Sequence, residues 1–149
     1  MVAEILFLLS CGALGIFLGA QITEAVLFVP YWKTLSADEF FKFYKKYGKQ
    51  IHRFFAPLTI LATFLPLTIV SYSFIYQLDN QILFALMGIS TVAFFSTYFL
   101  YFKKANRSFT ERSLSNEALP HELLRWGNWH WGRVCFEFIA FVCSLFLLV

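Results

Sequence analysis

Apolar residues run in four long blocks, separated by short stretches that hold nearly all the charge. The first block, about residues 3–29, is long enough to cross a bilayer with some tilt. Others come at about 51–76, 81–102 and 126–148, each of spanning length. Between the first two lies Ser36-Ala37-Asp38-Glu39, a capping-box pattern with Ser at N-cap and Glu at N3. It predicts a short helix over 37–47, stopped by Gly48. That helix mixes Phe40, Phe41, Phe43, Tyr44 and Tyr47 with Lys42, Lys45 and Lys46, as interfacial helices do.

Smaller signals set the limits of the blocks. Gly12, Gly15 and Gly19 share one face of the first helix and predict a close helix neighbour. Pro30 is expected to end that helix, with Tyr31 and Trp32 in the interfacial aromatic belt. Pro57 and Pro66 predict kinks in the second span. The turn Gln77-Leu78-Asp79-Asn80 is short, so the flanking spans should pack antiparallel. Lys103 and Lys104 are expected to close the third span, and Pro120 to open a helix that runs on into the fourth. The predicted fold is all-α: one membrane-embedded, up-down-up-down four-helix bundle with a short interfacial helix.

Composition agrees. Of 149 residues, 59% are hydrophobic, 14% charged and 21% aromatic, where a soluble domain is about 25% charged. No basic soluble module is present, which argues against nucleic-acid binding. Cys11, Cys135 and Cys143 have no paired spacing and read as small apolar residues. No Lys or Arg precedes Lys33, so the basic region of a signal peptide is missing. Every Lys and Arg falls in the two connectors that a four-span topology puts on one side, or in the helix ends beside them. The positive-inside rule makes that side cytoplasmic and places both termini outside. The expected location is an integral membrane one, a bacterial inner membrane.

The chemistry concentrates in Arg125-Trp126-Gly127-Asn128-Trp129-His130-Trp131-Gly132-Arg133-Val134-Cys135-Phe136-Glu137. On a helix, Trp126, His130, Arg133 and Glu137 share one face. Ionisable residues inside a span mark a functional site by default. The same topology brings Gln21, Glu24, His52, Arg53 and Asn106 into one layer with Trp126, His130 and Arg133. Glu24, His130 and Arg133 are the candidate catalytic residues. Trp126, Asn106 and Gln21 are the candidate substrate-binding residues. Glu24, His52 and His130 form a candidate metal set for iron, copper or zinc; a metal-free site is the alternative. Glu24 is expected to set the tautomer of His130. The structural alternative pairs His130 with Glu24 and Arg133 with Glu137.

The run Glu122 to Arg133, with Ala140-Phe141 after it, resembles the C-terminal signature of the anthrone oxygenase-like family of small four-span membrane proteins. The glycine-marked first span leading to Glu24 and Pro30-Tyr31-Trp32 looks like that family's opening. Ala56-Pro57-Leu58-Thr59 and Asn106 match its second and third spans. The resemblance implies a membrane oxidoreductase that oxidises a lipophilic aromatic molecule with dioxygen. Trp126, His130 and Arg133 would hold such a flat phenol. A non-catalytic protein that binds a lipid or partner is the other reading, with the polar layer serving helix association. The expected partners are the lipid bilayer, a lipophilic small molecule and a second copy of the chain in a homo-oligomer.

Overall fold

A computed structural model describes residues 2–148, with side chains from residue 4. It is helical apart from short connectors, and no strand occurs among the described residues. Helix α1 spans Val2–Thr23. A π-helical turn, Glu24–Phe28, joins it to α2, Val29–Thr34. Helix α3 covers Ala37–Ile75 and α4 covers Gln81–Thr97. A second π-turn, Tyr98–Phe102, leads into α5, Lys103–Glu111. Helix α6 is Leu119–Phe146. Three continuous stretches, Glu4–Thr34, Ala37–Ile75 and Gln81–Glu111, are long and apolar enough to cross a membrane. Helix α6 has the length but carries His130, Arg133 and Glu137 in its middle.

The capping box forms as its sequence predicts. Ser36 N–H donates to Glu39 at 2.9 Å, and the Glu39 N–H donates back to the Ser36 hydroxyl at 3.4 Å. The far end of that helix differs from expectation. Gly48 does not stop a short helix, and α3 runs unbroken for 39 residues. No glycine among the described residues has positive φ, so Gly48 is not a left-handed cap. A Cβ on Gly48 would lie 3.1 Å from the Tyr44 ring; its missing side chain leaves room for that ring.

Two other stops also fail. Pro30 does not end its helix, which continues to Thr34. In a regular α-helix the Pro30 ring would clash with the carbonyl four residues back. The wider turn just before it removes that clash. Lys103 and Lys104 likewise sit inside a helix that continues to Glu111. There Arg112 takes φ 48° and ends it. Pro120 falls in the first turn of α6, where its missing N–H costs nothing.

Helix α1 packs on α3 and α6, and α4 packs on the same two. Two apolar clusters result. One joins Val29, Trp32, Phe40, Phe102, Phe109 and Trp126 with their neighbours. The other joins Leu14, Phe17, Ala62, Phe94, Ala140 and Cys143 with theirs. Between the two lie several buried polar residues: Gln21 on α1, Glu24 in the first π-turn, Thr97 on α4, and His130 and Glu137 on α6.

The glycine face is used only in part. A Cβ on Gly15 would lie 3.0 Å from the Phe141 ring, so α6 does come close there. A Cβ on Gly12 or Gly19 would meet no neighbouring atom of the described residues within 4 Å. Trp32 is not a belt residue either: it is buried, edge-on to Trp126 at 5.4 Å.

Candidate functional site

His130 is fully buried, and both of its ring nitrogens are engaged. Nε2 lies 2.9 Å from the backbone carbonyl of Gln21, and Nδ1 lies 3.3 Å from Nη2 of Arg133. A carbonyl can only accept and a guanidinium can only donate. The ring proton therefore sits on Nε2, and Nδ1 carries the lone pair. Gln21 and Arg133 set this tautomer. Glu24, expected in that role, has its Oε2 3.7 Å from Nε2, beyond hydrogen-bond reach.

Arg133 is the hub. Its Nε donates to Oε1 of Gln21 at 3.0 Å, and its Nη2 lies 3.7 Å from Glu24 Oε2. Its guanidinium covers the Phe102 ring at 4.5 Å. Arg133 makes no hydrogen bond to Glu137, the partner expected on its own helix, although the two charges interact. Among the described residues neither carboxylate oxygen of Glu137 has a hydrogen-bond partner, although the residue is wholly buried. The Nε2 amide of Gln21 is unpartnered as well.

An aromatic wall fixes the histidine. Trp126 stacks on His130 with centroids 5.0 Å apart and planes 21° from parallel. The Trp126 Nε1–H donates to Oδ1 of Asn106 at 3.0 Å, which locks the indole to α5. Phe102 meets both rings edge-on. Both π-turns border this layer: Glu24 begins the first, and Phe102 ends the second. π-Turns inside α-helices recur at functional sites because they redirect side chains that a regular ladder would place elsewhere.

The network backs a cleft of about 570 Å³ whose wall includes Glu24, His52, Arg53, Asn106, Trp126 and Arg133. Six of the eight polar-layer residues legible in the sequence thus line one opening. The other two, Gln21 and His130, are fully buried and bonded to Arg133. Sequence reasoning missed Phe102, an aromatic inside an aromatic-rich span with nothing to distinguish it.

The metal set does not assemble. No three His, Cys, Asp or Glu side chains among the described residues are grouped to hold a metal ion. His52 stands on the exposed rim of the cleft. His130 has no free lone pair, because Arg133 donates to the one it has. The residues present do not fit iron, copper or zinc.

No family model, no curated protein and no solved structure matches the chain.

Proposed function

We propose that the chain is an integral membrane protein, an up-down-up-down bundle whose polar cleft binds a lipophilic, weakly acidic aromatic molecule and oxidises it with dioxygen. Embedding is supported by the outward faces of the helices, where Ile82 is 77% exposed and Leu100 73%. Apolar exposure of that extent on every long helix suits lipid and not water. The placement of all Lys and Arg at one end supports a cytoplasmic mouth for the cleft. The resemblance to the anthrone oxygenase-like family supports the reaction class.

One observation carries the chemical reading. Among the described residues Glu24 is the only carboxylate on the wall of the cleft, and it faces a guanidinium already oriented by Gln21 and His130. A buried carboxylate with no hydrogen-bond donor of its own is free to take a proton. The acidic C–H of an anthrone-type ring breaks, and its proton passes to Glu24. The electron pair stays on the ring as a phenolate-like oxyanion, which Arg133 stabilises. Dioxygen then adds to the deprotonated carbon; the O–O bond and the second C–H bond there break, one oxygen atom becoming the new carbonyl and the other leaving as water with that hydrogen and the proton held by Glu24. Trp126, held by Asn106, offers the flat surface against which such a ring stacks. His130 acts as a positioning residue, since both of its nitrogens are committed.

Oxygen uptake by the detergent-purified protein with an anthrone tests this. Uptake above the spontaneous rate, lost in Glu24→Gln with fold retained, is expected. Equal uptake by the wild type and that variant would sink the base assignment. The Gln21–His130–Arg133 network also ties α1 to α6 across the core. That observation favours the second reading, a non-catalytic binding protein, if no uptake occurs while flat phenols still bind.

A further inference from the structure

Two cavities meet at Glu24. Besides the cleft described above, a cavity of about 580 Å³ lies beside it. Its wall includes Phe28, Trp32, Phe43, Tyr47 and Phe54, and Glu24 is the only charged residue on it among the described residues. The two spaces share Glu24, Ile51 and Phe55. Their charge is opposite in character. The cleft is lined by Lys49, Arg53, Lys103, Arg107 and Arg133, with Glu24 the one carboxylate among its described residues.

The five cations differ in what they already hold. Arg107 pairs with Glu111 at 2.8 Å, and Arg133 is bound to Gln21 and His130. Lys49, Arg53 and Lys103 form no ion pair or hydrogen bond with any described residue. They converge on one opening from two helices, α3 and α5. Cations that merely anchor a helix end in headgroups would be scattered round the circumference. Here three uncommitted ones face the same cleft, with an aromatic cavity adjoining it.

We infer that the site takes a compact amphiphilic anion, its reacting ring at Glu24 and Trp126, the rest of its apolar body in the adjoining aromatic cavity, and a carboxylate- or phosphate-type head between Lys49, Arg53 and Lys103. This deepens the binding reading above and rests on it: the substrate carries a permanent negative charge apart from its reacting ring. Each cavity has the volume of a small-molecule site, which favours a compact ligand over a two-tailed lipid. Glu24 at the seam repels a second anion, and so directs the head outward to the three cations.

The test compares two probes with the same ring, anthracene carboxylate and anthracene methanol. Each is titrated against the full chain in phosphatidylcholine nanodiscs, read by quenching of tryptophan emission and corrected with empty discs. The carboxylate is expected to bind about tenfold tighter or better, as one charge-assisted contact warrants. Added salt should shrink that ratio. In the double variant Arg53→Gln, Lys103→Gln the ratio should fall towards one while the alcohol binds as before. Both side chains are exposed, so the fold should be kept, and circular dichroism checks it. Equal binding of the two probes by the wild type, or a ratio unmoved in the variant, overturns the inference but leaves the cavity reading standing. Binding of neither probe overturns both. Loss of carboxylate binding on doping the discs with phosphatidylglycerol assigns the cations to bilayer headgroups and overturns the compact ligand.

Discussion

Arg133 donates to Nδ1 of His130, and this contact makes the histidine a fixed strut. The imidazole is held on its other edge by the Gln21 carbonyl and on its face by Trp126. Truncation should therefore cost more than isosteric polar replacement. His130→Ala is expected to destabilise the protein by ~2–4 kcal/mol, since it empties a packed site and strands a buried carbonyl. His130→Gln keeps a donor and an acceptor and should cost less than half as much. Denaturant titration in mixed micelles measures both, and equal losses would contradict the strut.

Glu24 should behave in the opposite way. It accepts no hydrogen bond from any described residue, and its charged partners His130 and Arg133 stand at 3.7 Å. Glu24→Gln should keep the fold yet reduce anthrone-dependent oxygen uptake by a factor of ~10²–10⁴, the usual contribution of a general base. If stability falls as far as it does in His130→Ala, Glu24 is a structural member of the network instead.

The histidine and glutamate differ in a way the sequence did not reveal. Helical spacing put Trp126, His130, Arg133 and Glu137 on one stripe, and charge placement put Gln21, Glu24, His52, Arg53 and Asn106 at the same depth. Both inferences rest on periodicity and chain reversal, which survive small errors in helix ends. Partner choice does not. Whether Arg133 reaches Glu137 on its own helix or Gln21 on another depends on rotamers and on the π-turn at Glu24. Nothing in a linear spacing encodes either. The helix stops at Pro30, Gly48 and Lys103 failed for a related reason. Local breakers and charges are weak signals when flanking packing carries the helix through them.

Asn106 and Trp126 form a pair that a double-mutant cycle can resolve. Asn106→Leu leaves the indole N–H in a buried place without its acceptor, at a cost of ~1–3 kcal/mol. Trp126→Phe removes the donor as well as part of the stack on His130. The combined variant should fall short of the sum by ~0.5–3 kcal/mol, as bonded neighbours do. Strict additivity would mean the 3.0 Å contact carries no energy.

The glycines of α1 sort themselves by contact. Gly12 and Gly19 face open space, so alanine there should raise stability by up to ~1 kcal/mol each through helix propensity. Gly15→Ala should lower it, because the new methyl meets the Phe141 ring at 3.0 Å. Pairing Gly15→Ala with Phe141→Leu should recover part of the loss. Three alanines of equal effect would refute the contact at Gly15.

Glu137 is the most costly residue left unexplained by the proposed chemistry. It is completely buried on α6, one turn beyond Arg133, and both its oxygens lack hydrogen-bond partners among the described residues. Burying a polar group without a partner costs ~1–3 kcal/mol on mutational scales. Glu137→Met is close in volume and removes that cost, so it should leave stability unchanged or raise it. Oxygen uptake should be untouched, since Glu137 does not line the cleft. The comparison with Glu24→Gln is what gives the experiment its force: two buried carboxyls beside the same arginine, one removed at the expense of turnover and the other at no expense. Should Glu137→Met abolish uptake while the protein stays folded, the reacting centre extends deeper along α6 than the cleft, and Glu137 replaces Glu24 as the candidate base.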